Sequence, residues 1–240
     1  MKKVGHVWGI GVGPGDPGLL TVRAVEVLRR AQVVMVPRAA SRDDSAALQV
    51  VKSLVQEERL CVRDFPMTRE PRELEQCWRE VAGEIAAMAH QGMEVAFLTL
   101  GDALTYSTYN YVLEWLQRML PEGTVTTVPG VTSFAAASAE ANCPLVSGDQ
   151  VLSVIPLPAG PLEGLAPLVR HSDVVVFMKI GNRLGELLEW LQQEAPGCSG
   201  VFASRVGTPQ QYVCRDLAGL PEGVSGYMSV LLVNKKGGAA

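Results

Sequence analysis

Metal-ligand spacing is missing from this 240-residue chain. Its five cysteines, Cys61, Cys77, Cys143, Cys198 and Cys214, are odd in number, widely scattered and free of any C-x-x-C pair. That pattern indicates neither a disulfide framework nor a zinc site. Histidine is scarcer still: His6, His90 and His171 stand alone, so there is no Cys–His couple to build chemistry on. An excess of positive charge is also missing. The net charge of −4 argues against nucleic acid as a partner, since that needs a basic footprint. It leaves room for a small anionic substrate met by a local group of arginines. No apolar run is long enough to span a bilayer, and the amino terminus reads as a short strand without a signal-peptide layout. The expectation is a cytoplasmic chain with no membrane and no metal site.

What is present is a well-cored α/β pattern. Apolar residues make up 48% and charged residues 19%, over a length that suits one large or two modest domains. Residues 4–12 read as a strand, 21–30 as a helix and 32–36 as a second strand. In that helix Val22, Val25 and Leu28 are expected inward, with Arg23, Glu26 and Arg30 in water. A strand at 60–65 precedes a long helix after Pro71, where Leu74, Trp78, Val81, Ile85 and Met88 form a core stripe ended by Gly92. A buried strand at 95–100, a helix carrying Val112, Leu113, Leu116 and Leu120, and a strand at 125–128 complete the first half. This alternation specifies a mostly parallel sheet covered on both faces. The second half has a small-residue helix at 134–141 and strands at 151–155, 174–178, 201–204, 211–215 and 227–233. Its clear helix holds Leu184, Leu187, Leu188 and Leu191, and its last strands follow one another without helices, which predicts a mixed sheet. The expected organisation is two tandem α/β domains, residues 1–130 and 131–240, joined somewhere between Pro129 and Gly148, with a loose tail from Lys235.

Three turns share one design: a strand, then glycine with proline or aspartate, then a helix. They are Gly13-Pro14-Gly15-Asp16, Gly101-Asp102-Ala103-Leu104 and Pro129-Gly130-Val131-Thr132-Ser133. In a parallel sheet all three lie at the carboxyl edge, where open α/β folds bind small ligands. By letter, the first turn matches the dinucleotide fingerprint G-x-G-x-x-G. Pro14 and Pro17 have no N–H to offer a pyrophosphate, and the second strand ends Val36-Pro37-Arg38 without the acid that grips a ribose. A nicotinamide site is therefore disfavoured. Asp16 or Thr21 is expected to cap the following helix, with Pro17 near its first turn.

In this combination and order the turns resemble the signatures of the tetrapyrrole (cobalamin and sirohaem) methyltransferases. Gly11-Val12-Gly13-Pro14-Gly15-Asp16-Pro17 with Leu19-Leu20-Thr21 looks like that family's opening signature. Gly101-Asp102 with Tyr106-Ser107-Thr108 and Val128-Pro129-Gly130-Val131-Thr132-Ser133 are similar to its second and third. The likeness continues through Val175-Val176-Phe177-Met178-Lys179 and Ser204-Arg205-Val206-Gly207-Thr208. The stretch Leu104-Thr105-Tyr106-Ser107-Thr108-Tyr109 is nearest the branch that methylates C20 of precorrin-2 or cobalt-precorrin-2. The uroporphyrinogen methylases of the family end their second strand in Tyr-Asp, whereas this chain has Met35-Val36-Pro37. Ala103 stands where the family has proline, a change that leaves the backbone the same shape at some entropic cost.

The resemblance implies S-adenosylmethionine (SAM), leaving as S-adenosylhomocysteine, bound in a cleft between two α/β domains of the class III SAM-dependent methyltransferase type. It also implies a homodimer and a tetrapyrrole substrate bearing acetate and propionate groups. By position, Pro14, Leu100, Gly101, Asp102, Thr105, Thr132, Ser133, Met178 and Gly207 would form the cofactor pocket, largely through backbone. Asp102 is the candidate base for removing the proton from the methylated carbon, with turn capping as its other role. Tyr106 is a second catalytic candidate or a wall of the macrocycle pocket. Arg38, Arg42, Arg63, Arg69, Lys179 and Arg183 are candidates to meet the substrate carboxylates. The competing functions are a sister methyltransferase acting at another ring carbon and a non-catalytic SAM- or nucleotide-binding module.

Overall fold

The structure, a computed structural model, describes residues 3–40, 45–68, 70–221 and 223–235. Arg42, Arg69 and the tail beyond Lys235 lie outside the described residues. The chain divides into two units, Met1–Thr132 and Ser133–Ala240.

The first unit alternates β1 (Val7–Gly11), α1 (Val22–Arg30), β2 (Val33–Ala39), α2 (Ala46–Val51), β3 (Leu60–Phe65), α3 (Pro71–His90), β4 (Val95–Thr99), α4 (Tyr109–Met119) and β5 (Val125–Val128). The strands form one sheet in the order β3-β2-β4-β1-β5, with every neighbouring pair parallel. β1 and β4 are buried along their whole length, because helices cover both faces. Side chains alternate between two cores at the strand period of two. Ile10, Val34, Val36, Ala96 and Leu98 face α1 and α2, whereas Val7, Met35, Val95 and Phe97 face α3 and α4. Each fully buried Leu, Ile or Phe of this kind contributes about 1.5–3 kcal/mol.

α1 shows how local chemistry ends a helix. Thr21 Oγ1 accepts from the Ala24 amide at 3.1 Å, a cap worth about 1 kcal/mol. At the other end Arg59 Nη1 donates to the carbonyls of Leu28, Arg29 and Ala31 at 3.0, 3.1 and 2.8 Å. These are carbonyls the last turn leaves without helical partners. Asp16 caps a separate short turn, Pro17–Leu19, accepting from the Gly18 amide at 2.7 Å.

Two expectations about helix faces need correction. Val22 is 75% exposed, and the inward face of α1 is Ala24, Val27 and Leu28. Val22 lies five residues from Val27, about 140° around the helix, and so points away from the sheet. In α3 the core is Val81, Ala82, Ile85, Ala86 and Ala89, while Leu74 and Trp78 are only half-buried. Trp78 instead stacks on Tyr111 of α4 with centroids 4.0 Å apart and planes at 8°.

The second unit contains α5 (Ser133–Glu140), β6 (Leu152–Pro156), α6 (Ala166–His171), β7 (Val174–Met178), α7 (Leu184–Glu194), β8 (Ser199–Ser204), β9 (Tyr212–Cys214) and β10 (Ser229–Asn234). Its sheet runs β6-β7-β10-β8-β9. β6 and β7 are parallel and the other pairs antiparallel, so the sheet is mixed. Val175, Phe177, Phe202, Leu231 and Val233 build one core with α6 and α7. The α/β class read from the alternation of elements holds in both units. Among the described residues, no helix is long and apolar enough to cross a membrane.

Candidate active site

Three connections leave the carboxyl edge of the first sheet side by side, because β4, β1 and β5 are neighbours. They are knitted together through main-chain atoms. Gly13 N donates to Gly101 O at 3.1 Å, and Gly101 N returns a bond to Gly13 O at 2.7 Å. Both glycines stand at φ +76°, a conformation that side chains rarely adopt. The third connection is pressed against the other two: a Cβ on Gly130 would lie 2.3 Å from Gly101 O. The bed of this edge is therefore bare backbone.

Asp102 ties the second connection to the third with one carboxylate. Its Oδ1 accepts from Leu104 N at 3.0 Å and from Thr105 Oγ1 at 2.8 Å, and its Oδ2 accepts from Gly130 N at 3.1 Å. Partial burial acts to raise the pKa, but the hydrogen bonds from Gly130, Thr105, Leu104 and Ala103 outweigh it and hold the carboxyl below its ordinary value. Such a carboxylate is a weak base with both oxygens engaged. Of the two roles considered for Asp102, this geometry favours the anchor.

The segment after Asp102 is braced by its own side chains. Ser107 Oγ donates to Ala103 O, and Asn110 Nδ2 donates to Leu104 O at 3.2 Å. Tyr106 sits at φ +53° with its side chain 40% exposed, and Leu104 is 52% exposed. A tyrosine in the left-handed region costs about 1–3 kcal/mol and persists only where neighbours over-determine it. These two side chains give the edge apolar surface.

Pro14 is buried in the first connection, while Leu100, Gly101, Asp102, Thr105 and Thr132 are half-buried on the same unit. Ser133, Met178 and Gly207 belong to the second unit: Ser133 opens α5 and Met178 closes β7. The Met178 carbonyl accepts from Leu157 N at 2.8 Å. Gly207 N donates to Gln211 Oε1 at 2.7 Å, and Gln211 Nε2 in turn donates to Glu140 at 2.7 Å. The amide of Gly207 is thus already bonded within the protein.

Three of the basic candidates are matched by carboxylates. Arg38 forks onto Asp64 at 2.7 and 3.0 Å, Arg63 meets Glu84 at 2.8 Å, and Arg183 holds Glu186. Arg183 also donates to the carbonyls of Pro158 and Gly160, so it braces a loop. Gly11, where an added Cβ would lie 2.6 Å from Gly130 N, Gly130 itself, and the bracing residues Ser107 and Asn110 were not among the expected site residues. Glycine at the end of one strand and just past another was their sequence signal, but the contact joins segments far apart in the chain.

The three connections carry two carboxylates, Asp16 and Asp102, and no lysine or arginine. A bed of carbonyls and carboxylates without cations suits a positively charged ligand and repels a pyrophosphate. A SAM sulfonium fits that charge, and the approach at Gly130 leaves no space for a Cβ in the bed.

A parallel sheet with three glycine turns at its carboxyl edge, followed by a mixed α/β unit, defines a class. Residues 6–221 match the model of the tetrapyrrole (corrin/porphyrin) methylases, and the chain belongs to that family. Among its relatives, the cobalt-precorrin-2 C(20)-methyltransferase of Salmonella typhimurium (strain LT2) is 34% identical, with 97% of each chain covered. The precorrin-2 C(20)-methyltransferase of a Sinorhizobium species is 30% identical over 96% of this chain and 95% of its own. The uroporphyrin-III C-methyltransferase of Thermus thermophilus, solved in complex with S-adenyl homocysteine, shares the fold. Its TM-score is 0.69 at 22% identity, over 96% of this chain and 98% of that one.

Proposed function

We propose that this chain transfers a methyl group from SAM to C20 of precorrin-2 or of its cobalt-loaded form. The observation that carries the cofactor reading is the cation-free, glycine-lined edge tied by Asp102. The choice of ring position rests on relatives of that activity at 34 and 30% identity over almost the whole chain.

When bound, SAM supplies a sulfonium-activated methyl group for an electron-rich ring carbon. The chain's own residues do the rest. Pro14, Leu100, Gly101, Thr105 and Thr132 would hold the cofactor from the first unit. Ser133, Met178 and Gly207 join them on the strength of the family resemblance. Asp102 fixes the spacing of the turns and keeps a negative charge beside a cationic ligand. Leu104 and Tyr106 offer apolar walls that exclude water and seat a flat macrocycle. Fixing the relative position of two reactants can supply about 7–11 kcal/mol of the barrier, so a site of this kind needs few charged side chains. Proton removal from the methylated carbon requires a base, and Asp102 and Tyr106 remain the groups to test.

Incubation with SAM and precorrin-2 should add one methyl group by mass spectrometry, placed at C20 by NMR. Methylation at another ring carbon would make the chain a sister enzyme of the family. Binding of S-adenosylhomocysteine without transfer to any tetrapyrrole would make it a non-catalytic module. The resemblance further supports a homodimer, which light scattering tests directly.

A further inference from the structure

Backbone strain gathers at one edge of the second sheet. Among the described residues, five that are not glycine have positive φ: Tyr106, Asn142, Lys179, Arg205 and Met228. β10 runs antiparallel to both β7 and β8, so the carboxyl ends of β7 and β8 meet the amino end of β10. Lys179 follows β7 at φ +54°, Arg205 follows β8 at φ +49°, and Met228 precedes β10 at φ +51°. Hydrogen bonds enforce the conformation of Arg205 from both sides. Its amide donates to Met228 O at 2.8 Å, and its carbonyl accepts from Thr208 N at 3.1 Å and Thr208 Oγ1 at 2.8 Å.

Glycine adopts this region freely, and asparagine or aspartate reaches it through short local hydrogen bonds. Lysine and arginine have neither advantage. Two cations kept in strained positions on one edge need a reason, and such outliers cluster where ligands are held. Both side chains are exposed. Among the described residues the Arg205 guanidinium makes no ion pair or side-chain hydrogen bond, in contrast to Arg38, Arg63 and Arg183. Lys179 and Arg205 flank β10, with backbones separated by two strand spacings, about 10 Å.

We propose that Lys179 and Arg205 form an anion-binding pair that takes two carboxylates of the substrate's acetate and propionate side chains. This rests on the tetrapyrrole reading above. Arg205 would fork onto one carboxylate, and Lys179 would act as a point charge for another.

Lys179→Gly and Arg205→Gly test the pair without threatening the fold, because glycine relieves the strain and should leave the Tm equal or higher. Each should raise KM for precorrin-2 by about 10- to 100-fold, the loss of a charge-assisted contact. The kcat and the affinity for S-adenosylhomocysteine should stay within about two-fold, and the salt dependence of kcat/KM should flatten. Arg205→Lys, which keeps the charge, should recover part of the loss. Titration of precorrin-2 without SAM reads affinity apart from methyl transfer. Weakening in both glycine variants supports the pair. Equal affinity in wild type and variants, or no measurable affinity in the wild type, overturns it. A wild type that binds precorrin-2 but transfers no methyl overturns the function instead.

Discussion

Asp102 Oδ2 accepts a hydrogen bond from the backbone amide of Gly130 at 3.1 Å, joining the turn after β4 to the turn after β5. The same carboxylate serves Leu104 and Thr105 with its other oxygen. An asparagine has a single acceptor oxygen, so it can serve one side or the other. Asp102→Asn should therefore lose about 1 kcal/mol, seen as a Tm lower by about 2–4 °C. Affinity for S-adenosylhomocysteine should fall with it. A variant of wild-type Tm and affinity whose turnover alone drops by about 10²–10⁴-fold would instead make Asp102 the base.

The lowered pKa of Asp102 gives this anchor a pH signature. A folded-state value below the ordinary 3.8 means that its stabilisation is complete above 3.8 and is lost as pH falls through the lowered value. Thermal melts in acid should show a shallower loss of stability for Asp102→Asn than for wild type. Parallel curves would remove the anchor.

S-adenosylhomocysteine should protect the protein against heat and NADH should not. A ligand held only by the native state at 100 times its Kd adds about 2.7 kcal/mol. The cation-free edge explains the selectivity, since NADH brings a pyrophosphate to Asp16 and Asp102 with no lysine or arginine in the three connections to receive it. A shift with NADH and none with S-adenosylhomocysteine would reverse the cofactor assignment.

The α/β class and the first unit's parallel sheet were legible because buried strands such as Val95–Thr99 are continuous apolar runs between helical patterns. The glycine turns were legible for the same local reason. Short helices were not: α2 and α6 have six residues each, too few to show a period. The Asp102–Gly130 bond spans 28 residues and has no local signal. Nor does the strain at Tyr106 or Arg205, since those residue types avoid the left-handed region on their own and are held there by tertiary contacts.

Glycine substitutions should separate crowding from propensity. Gly130→Ala places a Cβ 2.3 Å from Gly101 O, a backbone atom that cannot swing aside. It should cost about 1–3 kcal/mol as an overpacked site and weaken S-adenosylhomocysteine binding. Gly83 sits inside α3 with nothing within 4 Å of an added Cβ, so Gly83→Ala should stabilise by about 0.5–1 kcal/mol. Denaturant melts of the two variants should move in opposite directions. A neutral Gly130→Ala would mean that the turns are not packed as described.

Pro37 bears on which macrocycle is accepted. β2 pairs with β4 only through Met35, and beyond that point β3 alone accompanies it. A proline without an N–H is tolerated there because one flank of the strand no longer carries a ladder. Its carbonyl accepts from Ser45 Oγ at 2.8 Å, which holds the strand end in place. The strand thus reaches the carboxyl edge as Val36-Pro37-Arg38, with Arg38 paired to Asp64. The resembling uroporphyrinogen methylases present tyrosine and aspartate at this strand end, where this chain has Val36 and Pro37, side chains that neither donate nor accept hydrogen bonds. Wild-type protein supplied with SAM should therefore leave uroporphyrinogen III unmodified under conditions in which precorrin-2 gains one methyl group. Mass spectrometry of both reactions decides the matter. Mono- or dimethylated uroporphyrinogen would show that Pro37 does not set the substrate, and would move the assignment from C20 to the first methylations of the ring.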